Sequence, residues 1–410
     1  MTTERWAWFR EETPALREVV YLNSGWSGPM SNAVANAMRD YLDLELRLGP
    51  TTKRVLAERQ EVGERMRAVT ARMINCDADE IAITGNTTEG LNIAINGLSY
   101  EPGDGVVTTT IEHSSGVVPA YYLRERYGCE LKFVGVAATD SDGATMERFA
   151  SAIDDRTRIV ILSEISYSSG QVLPLKSIVD LAHRHGAQVV VDGAQTAGHI
   201  PIDVRASNVD YYAFPSHKWL CGPDGLGAVY VRRDLIHDLE PTKVGGRAAT
   251  SYDFEGAFQA NRDVVTKFEL STTSGVLVAG TVAATEQYLE SGPDALFDRV
   301  RELNRYAEAR FASIPKVTVT SPTDDAIRTG LFAFAIEGEQ AGRVSAYLQQ
   351  EAKVVCRYVN EFNAVRLSLH AYNNESDVDV VASVIERAVA DGLPDEIEPA
   401  TPWDTKKVSP

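Results

Sequence analysis

The chain has 410 residues, 44% hydrophobic and 24% charged, with 58 Asp and Glu against 40 Lys and Arg and a formal charge of −18. That length suggests two domains, and the composition is that of an ordinary soluble globular protein. The acidic balance argues against a nucleic-acid surface or an anionic membrane as partner, because phosphates would be repelled; it says little about a small anionic ligand, which feels local donors.

The start, MTTERWAWFREE, carries acids and has no apolar stretch of signal-peptide type. No uninterrupted apolar run approaches the length of a membrane span, so a cytoplasmic location is the expectation. The four cysteines, Cys76, Cys129, Cys221 and Cys356, are scattered, with no CxxC and no His cluster at metal spacing. They read as reduced and structural, and no metal is expected.

From the N-terminus, apolar runs of strand length alternate with helical patterns. Strands are expected at 80–85, 104–113, 130–136, 158–166, 187–195, 210–216 and 226–233. Helices are expected between them, such as 88–98, 114–128 and 175–186, the last ending in Gly after basic residues. This alternation predicts an α/β fold with a mostly parallel sheet and helices on both faces. Ligands of such sheets bind beyond the carboxyl ends of strands.

From about 285 the texture changes. A long charged helix, PDALFDRVRELNRYAEARFASI, leads to short strands at 331–338 and 363–372 and a last helix at about 376–390. The expected organisation is an N-terminal helical segment (1–20), a large domain (21–280), a smaller C-terminal α/β domain (281–392) and a polar, Pro-containing tail (393–410).

Two residues stand out chemically. Asp192 ends the apolar run of VVVDGAQ, where a carboxylate without a cation would be costly. Lys218 lies 26 positions later, between a histidine and a tryptophan, in PSHKWLCGPDGLG. Taken alone, Lys218 reads as a surface lysine; the acid upstream changes that. No GxGxxG or Walker motif occurs at a strand-to-helix turn, which speaks against a nucleotide-binding protein.

In order along the chain stand YLNSG, TGNTTEG, EHSS, VDGAQ, SHKW, KFELSTTSG and VRLSLHAYN. With these motifs the chain resembles, from about Tyr21 to about Ile385, the class V aminotransferase family of fold-type I pyridoxal phosphate enzymes. Cysteine desulfurases, isopenicillin N epimerases and carbon–sulfur lyases are the members it looks most like. The resemblance implies pyridoxal 5'-phosphate as cofactor, with Lys218 as Schiff-base lysine and Asp192 at the pyridine nitrogen. It implies that His113 stacks on the ring and that Gln195 donates to the ring hydroxyl. Thr87, Thr88, Ser216 and His217 are implied at the phosphate, where a helix N-terminus suits an anion.

Arg366 is implied at the substrate α-carboxylate, with two parallel donors; Asn23 and Tyr167 join it as substrate-binding residues. GGRAAT (245–250) and STTSG (271–275) resemble loops that reach the neighbouring subunit's phosphate, with Thr272 as donor, which implies a homodimer. The sequence departs from the desulfurase pattern in three places. The interval from Val355 to Arg366 is too short for the nucleophile loop, so Cys356 reads as core filler. Pro215 stands where desulfurases have a serine, and Tyr167 stands near where they have an asparagine. The implied chemistry is α-proton abstraction from a small amino acid, most simply β-elimination from a cysteine thioether or conjugate. Epimerisation and transamination stay open, because fold does not select among them.

Overall fold

The computed structural model describes residues 2–399; residues 400–410 of the expected polar tail lie outside them. The fold is mixed α/β and divides into two compact units. The larger takes residues 30–167 and 172–295. The smaller takes the residues before 30, 168–171 and those from 296 onward.

The larger unit is built on seven strands: β1 (Ile81–Thr84), β2 (Gly105–Thr109), β3 (Glu130–Val134), β4 (Thr157–Ser163), β5 (Gln188–Asp192), β6 (Tyr211–Pro215) and β7 (Gly227–Val231). Their order is β1-β7-β6-β5-β4-β2-β3. Strands β2 to β6 pair in parallel. β7 runs antiparallel to both β6 and β1, so β1 points the same way as the parallel set. The reversal needs no helix, because the segment between Pro215 and Gly227 folds straight back.

Central parallel strands are buried on both faces, which explains their unbroken apolar runs. Val106, Ile159, Ile161, Val190 and Tyr211 pack in one core with Leu91, Ala94 and Leu123 of the helices Thr87–Gly97 and Ser114–Tyr127. The strand expected over 104–113 stops at Thr109, and His113 instead caps the next helix. The consequence for function is geometric. Thr84, Thr109, Ser163, Asp192 and Pro215 all end strands at one edge of the sheet.

The smaller unit holds an antiparallel sheet of β8 (Val317–Val319), β9 (Leu331–Ile336), β10 (Arg357–Val359) and β11 (Ala364–Ser368), in the order β8-β9-β11-β10. Phe332 and Phe334 of β9 pack with Phe311 of the helix Pro293–Ala312, their ring centroids 5.1 and 4.7 Å from it. The N-terminal residues belong here. Val20–Tyr21 pairs in parallel with Val354–Val355, Leu22 is buried in this core, and Arg10 forks onto Asp377 at 2.7 and 3.0 Å. Residues 21–29, grouped with the larger domain by sequence texture, are thus held by partners more than 300 positions away.

One close approach shapes the loop region of the larger unit. Gly198 has φ +85°, and a Cβ there would lie 2.5 Å from the Leu220 nitrogen and 2.6 Å from the Trp219 carbonyl carbon. Both the conformation and the space demand glycine. Gly198→Ala should destabilise the protein by about 1–3 kcal/mol, read as a lower urea midpoint. An unchanged midpoint would mean that these two segments do not touch.

Candidate active site

The carboxyl edge of the large sheet collects most of the residues singled out in the sequence. Asp192, the last residue of β5, is 4% exposed and accepts the Ala194 N–H on Oδ1 at 2.8 Å. Among the described residues no ion pair joins it. A buried carboxylate without a cation is costly, and a protonated ring nitrogen is a cation of the right kind. This fits pyridoxal phosphate on physical grounds.

Lys218 follows β6 through Ser216 and His217 and is half-buried. His217 sits 3.7 Å from the Asp224 carboxylate, too far for a hydrogen bond. Burial, and then the neighbouring Lys218 charge, hold the His217 imidazole below its ordinary pKa; Asp224 works weakly the other way. Ser216 is 1% exposed, and its hydroxyl lies within hydrogen-bond reach of the carbonyls of Pro223, at 2.5 Å, and Leu226, at 3.1 Å, which braces the loop behind the lysine.

Gln195 is held at both ends. Its side-chain oxygen accepts the Trp219 indole N–H at 2.8 Å, and its backbone oxygen accepts the His199 Nδ1–H at 2.8 Å. The His199 and Trp219 rings stack at 3.6 Å and 12°. All three residues are buried.

His113 is the N-cap of the helix Ser114–Tyr127. Its Nδ1 accepts the Ser115 N–H at 3.2 Å and lies 2.9 Å from the Ser115 hydroxyl. An N–H can only donate, so in the neutral ring the proton is on Nε2. Tyr167 meets His113 edge-on, with centroids 5.4 Å apart at 88°. Thr87 and Thr88 open the helix Thr87–Gly97, capped by Asn86, whose side chain accepts the Glu89 N–H at 2.9 Å. Thr88 is exposed, and its hydroxyl lies 2.8 Å from that of Ser115, so the two helix N-termini meet side by side. Such paired N-termini suit a phosphate.

Thr272 is exposed and has φ +66°, an unusual conformation for a β-branched residue. Arg366 and Asn23 belong to the smaller unit. Arg366 is fully buried on β11, opposite Ala333 on one side and Arg357 on the other. Asn23 forms a parallel bridge with Ser368, and its Oδ1 has no hydrogen-bond partner among the described residues. Among those residues, no cluster of three His, Cys, Asp or Glu could hold a metal ion.

Glu112, which nothing in the sequence singles out, lies at the same edge. Its carboxylate accepts the Thr109 hydroxyl at 2.7 Å, the Ser163 N–H at 3.0 Å and the Ser163 hydroxyl at 2.6 Å, tying the ends of β2 and β4 together. Burial pushes its pKa up to about 7 against these bonds, and the Asp192 charge adds to the rise. Burial likewise lifts Glu164, bonded by the Tyr212 hydroxyl, to about 7. The motif EHSS drew attention to the histidine; the acid beside it gave no separate signal. An acid whose folded pKa is raised favours folding below its ordinary pKa and loses that contribution as pH rises through the folded value. Stability should therefore fall between pH 4.5 and about 7. Glu112→Gln should remove roughly 1–2 kcal/mol of that fall, measured by denaturant titration across the range. The same slope in wild type and variant would place the titration elsewhere.

Comparisons with known proteins place the chain in a family. The probable cysteine desulfurase of Methanothermobacter thermautotrophicus is 29% identical over 398 residues, covering 93% of this chain and 98% of that protein. Among the similar solved structures are two of C-DES. The cystine C–S lyase C-DES in complex with its reaction product cysteine persulfide is 28% identical, with TM-score 0.85, covering 93% of this chain and all of that one. A C-DES mutant with glycine covalently linked to its PLP cofactor is 27% identical, with TM-score 0.86, covering 92% and 98%. The family model for class-V aminotransferases matches residues 20–381, and the chain belongs to that family.

Proposed function

We propose that this pyridoxal phosphate-dependent enzyme cleaves the carbon–sulfur bond of a cysteine-derived thioether or conjugate by β-elimination. Cys356 carries the choice of reaction. It lies between Val354–Val355 and Arg357–Val359, and its thiol is 3.5 Å from the Ser345 hydroxyl. Cys356 is half-buried against the core of the smaller unit; burial pushes its thiol up to about 11, although Ser345 and the Arg366 charge pull the other way. A thiol held so high is a poor nucleophile at neutral pH. Elimination needs no protein thiol, and a cystine C–S lyase is among the similar structures.

The roles follow from the side chains. Lys218 would hold the cofactor covalently and Asp192 would keep its ring nitrogen protonated. Gln195 would serve the ring hydroxyl and His113 the ring face. Thr87, Thr88 and His217 would serve the phosphate. When bound, the cofactor supplies an electron sink that makes the substrate α-proton acidic. Once the substrate amine had displaced it, the freed Lys218 Nζ would take that proton from Cα, and the Cβ–S bond would break with its electron pair leaving on sulfur as the thiolate. Arg366 offers two parallel donors to the α-carboxylate, and Asn23 and Tyr167 complete the substrate contacts. Thr272 would donate to a phosphate in a second copy of the chain. A homodimer is supported by the hairpin of Ala249–Tyr252 and Phe258–Ala260, which leaves Tyr252, Phe254 and Phe258 exposed. No described helix is long and apolar enough to cross a membrane.

A second reading, cysteine desulfuration, is supported by the name of the Methanothermobacter relative and by the Arg366 charge felt at the Cys356 sulfur. The two readings separate by experiment. Cys356→Ala should leave pyruvate and thiol release from cysteine conjugates within a few-fold of wild type. It should also cost at most about 1 kcal/mol of stability. Loss of turnover in a folded variant would establish the desulfurase reading instead.

The cofactor assignment has its own test. Borohydride should fix pyridoxal phosphate irreversibly to the peptide carrying Lys218. Lys218→Ala should abolish that label and lower turnover at least about a thousandfold, since anchoring and proton transfer are both lost. A label on any other lysine would overturn the assignment.

A further inference from the structure

We infer that Trp219 and His199 are positioning residues that fix which end of the Gln195 amide meets the cofactor. An unsupported glutamine amide can turn over, because its oxygen and nitrogen ends have nearly the same shape. Here the symmetry is broken by chemistry. The indole N–H of Trp219 can only donate, so the group 2.8 Å from it is the Gln195 carbonyl oxygen. The NH2 group is then the other, donor end of the Gln195 side chain.

The remaining contacts hold the indole in place. His199 Nδ1 donates to the Gln195 backbone oxygen at 2.8 Å, so that nitrogen carries the proton. The same ring lies flat against Trp219, at 3.6 Å and 12°. The loop closes on itself: Gln195 backbone to His199, His199 to Trp219, Trp219 to Gln195 side chain. Gly198 lets the two segments approach closely enough, and the Tyr288 hydroxyl donates to the Ile200 oxygen at 3.0 Å just beyond. Trp219 is also the residue after Lys218, so one buried clamp sets both the donor and the path of the lysine loop.

This inference rests on the proposed role of Gln195 toward the ring hydroxyl. The test uses cofactor-free protein and pyridoxal phosphate itself. Equilibrium binding is measured for wild type, Trp219→Phe, Gln195→Leu and the double variant, with the pH titration of the bound cofactor's absorbance as second readout. Trp219→Phe keeps an aromatic stack and loses only the N–H. It should weaken binding about three- to tenfold, the scale of one neutral hydrogen bond, and displace the absorbance titration. The double variant should bind no more weakly than Gln195→Leu, because Trp219 acts through Gln195.

Wild-type binding and titration in Trp219→Phe, or fully additive losses in the double variant, would overturn the clamp. His199→Phe keeps the stack and loses the Nδ1 bond, and it decides the matter if Trp219→Phe does not fold. Weaker binding in it supports the clamp; wild-type binding overturns it. Failure of the underlying reading looks different. Gln195→Leu alone would then bind with the wild-type constant and spectrum.

Discussion

A negative charge in a dry place governs this structure. Asp192 closes a buried parallel strand and has one backbone N–H on Oδ1 and no ion pair among the described residues. Burying a carboxylate is costly unless a positive partner is supplied. The neighbouring elements are organised around that need. Lys218 comes back on the loop after the adjacent strand, and the hydroxyl and amide groups of the same edge surround the space. Even Glu112, one strand further, responds to the Asp192 charge by holding its proton more tightly.

The sheet's topology explains how residues 87 to 218 come to one edge. Parallel strands share a direction, so each crossover delivers its next loop to the same side. The exception, β7, lies between β6 and β1 and runs against both, which leaves β1 aligned with the rest. The helix opened by Thr87 therefore starts at the same edge as the one capped by His113. A connection that placed β7 parallel would need a crossover, and the Lys218 loop would be much longer.

The sequence showed the parts of this that are local. VVVDGAQ reads as a buried strand ending in an acid, and each expected strand from 80 to 233 has its counterpart in the sheet. SHKW is legible as a motif because the lysine sits in an unusual place. The partners of the Ser216 hydroxyl, the carbonyls of Pro223 and Leu226, are not legible in the sequence, because they are set by how the loop turns and not by residue type. The stacking of His199 on Trp219 joins residues 20 positions apart in two different loops, and no pattern of spacing announces it. Residues 21–29 were grouped with the wrong neighbours for the same reason: strand partners distant in sequence leave no periodic trace.

That last pairing has a consequence for how the chain is made. Val20 and Tyr21 leave the ribosome early, whereas Val354 and Val355 follow some 330 residues later. At about 5–20 residues per second the wait is roughly tens of seconds. All seven strands of the larger sheet are complete by Val231, so that unit can form while the smaller one still lacks its C-terminal half. During that interval Leu22 has no core to enter, and the partner of Arg10, Asp377, does not yet exist. The native contacts of Val20, Tyr21, Leu22 and Arg10 thus wait for residues synthesised more than 300 positions later.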